Sequence, residues 1–171
     1  MSYLVVSSLA ELGATVETHG ASDLVTLINA DTPVPRPALI PEDRHLFLGF
    51  NDIVEPMEGM TPPQEDHVTD LIAFGAEWSR EKPLVVHCFA GISRSTAAAY
   101  ILAMSINPDL DEVALAQELR ARAPSATPNA RLVGFADAIL KRNGRMVEAI
   151  RSIGRGADAF AGTPFILPLK L

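Results

Sequence analysis

The sequence predicts a single α/β domain built on a mainly parallel central sheet with helices on both faces. Three observations lead there. Short apolar runs at 3–6, 24–28, 45–50 and 84–87 alternate with longer segments of helical periodicity, the pattern of strands joined by crossover helices. The 171 residues suit one domain with one core. A composition 48% hydrophobic and 20% charged is that of a globular chain, not a disordered one. The domain is assigned to residues 1–153, and residues 154–171 to a C-terminal tail packed on it.

Residues 3–6 form a β-branched and aromatic run, the first strand. A helix over 8–19 follows, capped by Ser7 or Ser8 with Glu11 in its first turn. Strands at 24–28 and 45–50 flank a Pro-rich surface loop at 31–41. Thr61-Pro62-Pro63-Gln64 reads as a helix start, with Thr61 as cap, Pro62 at the first helical position and Gln64 reaching back. Val68, Leu71, Ile72, Gly75 and Trp78 then lie on one face, Trp78 as a core anchor. After the strand at 84–87, small apolar residues predict a helix over 94–106 lying close to the sheet. Asp109 is expected to cap a helix presenting Leu110, Val113, Ala114 and Leu119, with Arg120 and Arg122 near its C-terminus and Pro124 as its stop. Another helix is expected over 128–142, ending at Asn143-Gly144. The tail from Gly154 carries too many Gly and Pro for a helix, and its apolar end, 165–171, is expected to cover the body of the chain.

A formal charge of −7 argues against general affinity for nucleic acid or an anionic membrane, so any phosphate site must be built locally. The N-terminus lacks a basic region before its apolar stretch, and the longest apolar-rich run, 97–104, is too short to span a bilayer; a cytoplasmic protein is expected. One cysteine allows neither an internal disulfide nor a multi-cysteine zinc site. His19, His45, His67 and His87 lack metal-ligand spacing, so no metal and no cofactor are expected. Apart from His87, the histidines read as solvated or locally bonded.

Chemistry concentrates in residues 85–96, VVHCFAGISRST, which run from a strand end through a tight loop into a helix. The residues between Cys88 and Arg94, namely Phe89, Ala90, Gly91, Ile92 and Ser93, can curl so that successive N–H groups point inward, an anion nest at a positive helix end. Gly91 permits a backbone conformation that a Cβ would oppose. Such a setting favours thiolate at Cys88. Arg94 adds a planar fork that holds two phosphoryl oxygens at once. Reading Cys88 as a packed core thiol would leave the Gly-containing turn without explanation.

The segment HCFAGISRST resembles the H-C-x5-R-S/T signature of the Cys-based protein phosphatases, and its wording is most similar to the dual-specificity branch. The resemblance spans roughly residues 3–145. It implies a protein-tyrosine-phosphatase-like fold, a phosphocysteine intermediate, His87 positioning the loop, and Ser95 assisting sulfur as a leaving group. It also implies an aspartate donor just after a strand. Asp52, directly beyond the strand at 45–50, is the choice, with Glu55, Glu58 and Asp66 as competitors in the same acidic segment. Pro128-Asn129, after Arg122-Ala123-Pro124, resembles the stretch with which dual-specificity phosphatases brace the signature loop; Asn129 could hold loop backbone or simply cap a helix.

The expected reaction is phosphomonoester hydrolysis on a phosphorylated protein or small phosphomonoester. Two other readings stay open: a non-catalytic phosphate-binding module, and a sulfurtransferase or arsenate reductase. The second would want further thiols for its reductase form. Loop residues 89–93 contain no Lys or Arg, which disfavours highly phosphorylated inositol lipids.

Overall fold

The computed structural model describes residues 2–171. Strands β1 (Leu4–Ser7), β2 (Asp23–Ile28), β3 (His45–Gly49), β4 (Leu84–His87) and β5 (Phe165–Leu167) form one sheet in the order β3-β2-β4-β1-β5. The first four are parallel; β5 runs antiparallel to β1. The chain moves from β1 across to β2 in one direction and from β3 back to β4 in the other. Right-handed crossovers therefore send the intervening helices, α1 (Leu12–His19) and α2 (Glu65–Glu77), to opposite faces.

The α1 face is thin, with Leu12, Val16 and Ala21 packed on Val5, Leu24 and Val85. The opposite face carries α2 and four further helices: α3 (Arg94–Ile106), α4 (Glu112–Arg122), α5 (Ala130–Ile139) and α6 (Arg145–Ser152). Helix α3 is buried from Arg94 to Met104, because a run of alanines lets it lie directly on the sheet. Gly75 of α2 meets it so closely that a Cβ there would stand 2.6 Å from a Leu102 methyl. No described helix is long and apolar enough to cross a membrane.

Several element boundaries differ from expectation, each for a local reason. Helix α1 starts at Leu12, not Ser8, because the Leu9 N–H leaves the helical path to donate to Phe89 O. Helix α2 is capped by Gln64 in a capping box with His67, while Thr61 closes the preceding loop by exchanging bonds with Asn51. The cap of α4 is Asp111 in place of Asp109, and its buried face carries Glu112, Leu115, Ala116 and Leu119 with Val113 outside. Arg142 and Arg145 both bind Glu112, which lets a carboxylate occupy a core position. The segment expected as one helix over 128–142 is α5 alone. Helix α6 follows, its first amides capped by the carboxylate of Asp137 from α5. The tail supplies β5.

Candidate active site

The carboxyl ends of the four parallel strands converge on one loop, where open α/β sheets bind ligands. Residues 88–93 leave β4 and enter α3, and every flanking strand end touches them or Arg94. Cys88 is 3% exposed. Its Sγ lies 3.1 Å from Ser95 Oγ and accepts from the Gly91 N–H at 3.2 Å. Gly91 has φ +71, and a Cβ there would stand 3.0 Å from the backbone of Ser7 and Ser8.

The loop turns inside out because its carbonyls are claimed from outside. Cys88 O accepts from His87 Nδ1, and Phe89 O from Leu9 N. Ala90 O accepts from Gly162 N, Ile92 O from Thr127 N, and Ser93 O from Asn129 N. Each planar peptide sends its N–H opposite to its carbonyl. The N–H groups of Phe89, Ala90, Ile92 and Ser93 find no acceptor among the described residues. Ser93 gives its hydroxyl to Asp52 and does not cap α3, so the helix's positive end opens into the same space.

Arg94 is fixed by the ends of β2 and β3: its Nη1 donates to Asn29 Oδ1 and to Phe50 O, both at 2.8 Å. Its Nε is buried without a partner. An unanswered buried guanidinium N–H is costly, and a bound oxyanion is the group that would answer it.

His87 is fully buried and its pKa is pushed down to about 4. Burial is the main cause, with the charges of His45 and Arg94 adding to it and the bond to Cys88 O opposing. Cys88 O can only accept, so Nδ1 carries the proton and Nε2 accepts from Thr26 Oγ1 at 2.7 Å. Thr26 Oγ1 in turn accepts from His45 Nε2 at 2.7 Å. His45 is also shifted down, by burial and then Arg36. Sequence reasoning missed this His45–Thr26–His87 chain, along with Asn29. The three side chains are far apart in sequence and meet only through the β2–β3 and β2–β4 pairings.

Asp52 stands at the rim, exposed, with Oδ1 accepting from Ser93 Oγ at 2.8 Å and Asn129 Nδ2 at 2.9 Å. Glu55, Glu58 and Asp66 are exposed and make no such bond to the loop. Asn129 fills both roles the sequence left open. It caps α5 through Oδ1, bonds Asp52 and Ile53 O through Nδ2, and donates its own N–H to Ser93 O. Beside Asp52 and Ser93 runs an open groove of about 700 Å³ lined by Ile53, Val54, Glu55, Pro56 and Met57 on one bank and Thr127 and Pro128 on the other.

The sequence model of the protein-tyrosine phosphatase family matches residues 56–132, a span that includes Cys88, Arg94 and Asn129. No curated protein matches the chain. Solved structures with this fold include the PTP-2 phosphatase of Cydia pomonella, 21% identical over 80% of this chain and 84% of that one, with TM-score 0.63. DUSP15 is 18% identical over 90% and 91%, with TM-score 0.64, and human DUSP28 18% identical over 81% and 94%, with TM-score 0.62. The fold is thus shared with solved protein-tyrosine and dual-specificity phosphatases, and the protein-tyrosine phosphatase model matches the stretch that carries the thiol, the arginine and the loop that braces them.

Proposed function

We propose that Cys88 attacks the phosphorus of a phosphomonoester while Asp52 protonates the departing oxygen, giving a phosphocysteine that water then hydrolyses with Asp52 as base. The observation that carries this reading is the loop's polarity: carbonyls held outward, amides left inward, sulfur at the centre and an unpartnered Arg94 Nε beside them. Fixed donors of that kind stabilise charge as it develops on the phosphoryl oxygens. Both bonds to Asp52 fall on Oδ1, which leaves Oδ2 to carry the transferred proton. The Ser95 hydroxyl, in contact with sulfur, supports thiolate departure in the second step.

The substrate side is a phosphoprotein or a phenolic phosphate in a neutral to acidic setting. The groove wall is apolar with Glu55 beside it, Val54 and Met57 are exposed, and the loop carries no Lys or Arg. A highly phosphorylated lipid headgroup would find no added cation there.

Release of phosphate from p-nitrophenyl phosphate and from a phosphotyrosine peptide tests the mechanism. Cys88→Ser should abolish turnover while retaining phosphate binding. Asp52→Ala should slow a poor leaving group by roughly 10²- to 10⁴-fold and a good one less. Undiminished turnover by Cys88→Ser would refute the assignment.

A further inference from the structure

We propose that the C-terminal tail is a positioning element of the phosphate loop, in which Gly162 keeps the Ala90–Gly91 peptide turned with its N–H toward the Cys88 sulfur. The proposal rests on reading Cys88 as the nucleophile. The Gly162 N–H donates to Ala90 O at 2.8 Å, and at the other end of that same peptide the Gly91 N–H donates to Sγ at 3.2 Å. The unit is planar and trans, so pinning the oxygen outward pins the hydrogen inward. Were the peptide to flip, a carbonyl oxygen would face the sulfur where a donor stood, and an attraction for thiolate would become a repulsion.

The contact is closely fitted backbone against backbone. A Cβ at Gly162 would lie 2.7 Å from Gly91 O, while on the other side Gly91 itself leans on Ser7 and Ser8. The phosphate loop is thus held between the turn after β1 and the tail.

The tail is in turn anchored at several points. Arg120 donates to Ala123 O and Pro124 O through one nitrogen and to Ile153 O and Gly154 O through the other. Ala157 N donates to Pro124 O at 2.9 Å, and a Cβ at Gly156 would stand 2.4 Å from the Ser125 carbonyl. The Gly156 N–H reaches Thr127 Oγ1 at 3.1 Å, and Thr127 N holds Ile92 O. The tail therefore supports the loop twice, directly at Ala90 and through Thr127 at Ile92. Beyond it, β5 is bonded to β1.

Gly162→Ala in the full chain tests this, with Phe160→Ala, whose ring is 94% exposed, as the control. The readouts are the rate at which iodoacetamide alkylates Cys88 at pH 6, which follows the thiolate fraction, and the pH profile of p-nitrophenyl phosphate hydrolysis. Gly162→Ala should keep its circular dichroism, alkylate about three- to tenfold more slowly, and lose roughly ten- to a hundredfold in kcat with the acid limb moved to higher pH. Phe160→Ala should match the natural chain. A folded Gly162→Ala protein with unaltered alkylation rate and pH profile overturns the proposal.

If that variant does not fold, hydrogen exchange in the natural chain decides. The Gly162 amide must be protected on the scale of Leu9 and Thr127, and exchange as fast as at the exposed Phe160 overturns the proposal. Failure of the natural chain to release phosphate would sink the phosphatase mechanism instead, leaving the alkylation comparison intact.

Discussion

Arg94 and Arg142 are 7% and 9% exposed, yet the chain surrounds them in opposite ways. Arg142 donates to the carboxylate of Glu112 and to the carbonyls of Met104 and Pro108. Burial pushes the Glu112 carboxyl up, but its own backbone amide and the guanidinium groups of Arg145 and Arg142 outweigh that and hold it below the usual range. Arg94 meets only neutral acceptors, Asn29 Oδ1 and Phe50 O, and its Nε has none. Arg142 belongs to a closed ion pair that fastens α4 to the segment before α6. Arg94 is an uncompensated cation held in place for a partner that arrives from outside.

Exchanging the two kinds of arginine for other residues should separate activity from stability. Arg94→Lys should lower kcat/KM by about 10²- to 10³-fold, since a point charge cannot reproduce the fork, while the melting temperature stays level or rises. Activity within tenfold of the natural chain would break the comparison. Arg142→Ala should do the reverse, lowering unfolding free energy by about 1–3 kcal/mol in denaturant titration because the carbonyls of Met104 and Pro108 lose their donor and Glu112 keeps only Arg145, with kcat of the folded fraction nearly unchanged. Replacing Glu112 by Gln and Arg142 by Met together should recover much of that loss.

A third buried basic group takes another course. His87 stays neutral, with a pKa of about 4 in the fold against an ordinary 6.5. Above pH 6.5 neither folded nor unfolded chain protonates it, and stability is unaffected. Between 6.5 and 4 the unfolded chain gains a proton that the folded one refuses, so stability falls on acidification, by about 3 kcal/mol in all. His87→Gln, measured by denaturant midpoint across that range, should flatten the slope. An unchanged slope would mean that His45 or the carboxylates carry it.

The parallel sheet, the α3 run of alanines and the loop from Cys88 to Arg94 were legible because each is written in neighbouring residues. Strand β4, the Gly91 turn and the small-residue helix follow one another without a gap. Features that depend on distant partners were not. The face of α4 was misjudged because Glu112 reads as solvated until Arg142 and Arg145, both beyond α5, are brought against it. Helix α6 escaped notice because Asp137 caps it across a turn from the preceding helix. Thr61 looked like a helix cap, and its bonds to Asn51 across the acid-bearing loop have no local signature. Gly162 lay in a stretch whose Gly and Pro content signalled only the lack of a helix.

Strand β5 also has a consequence for solubility. It takes up the outer side of β1, pairing Leu4, Val5 and Val6 with Leu167, Ile166 and Phe165. A chain cut before this strand would display a β-branched, apolar edge with its hydrogen-bonding groups unanswered, an invitation to strand exchange and aggregation. The last residues therefore move that edge from the fully buried β1 to a three-residue strand, one of whose carbonyls, Ile166 O, is already held by Arg122.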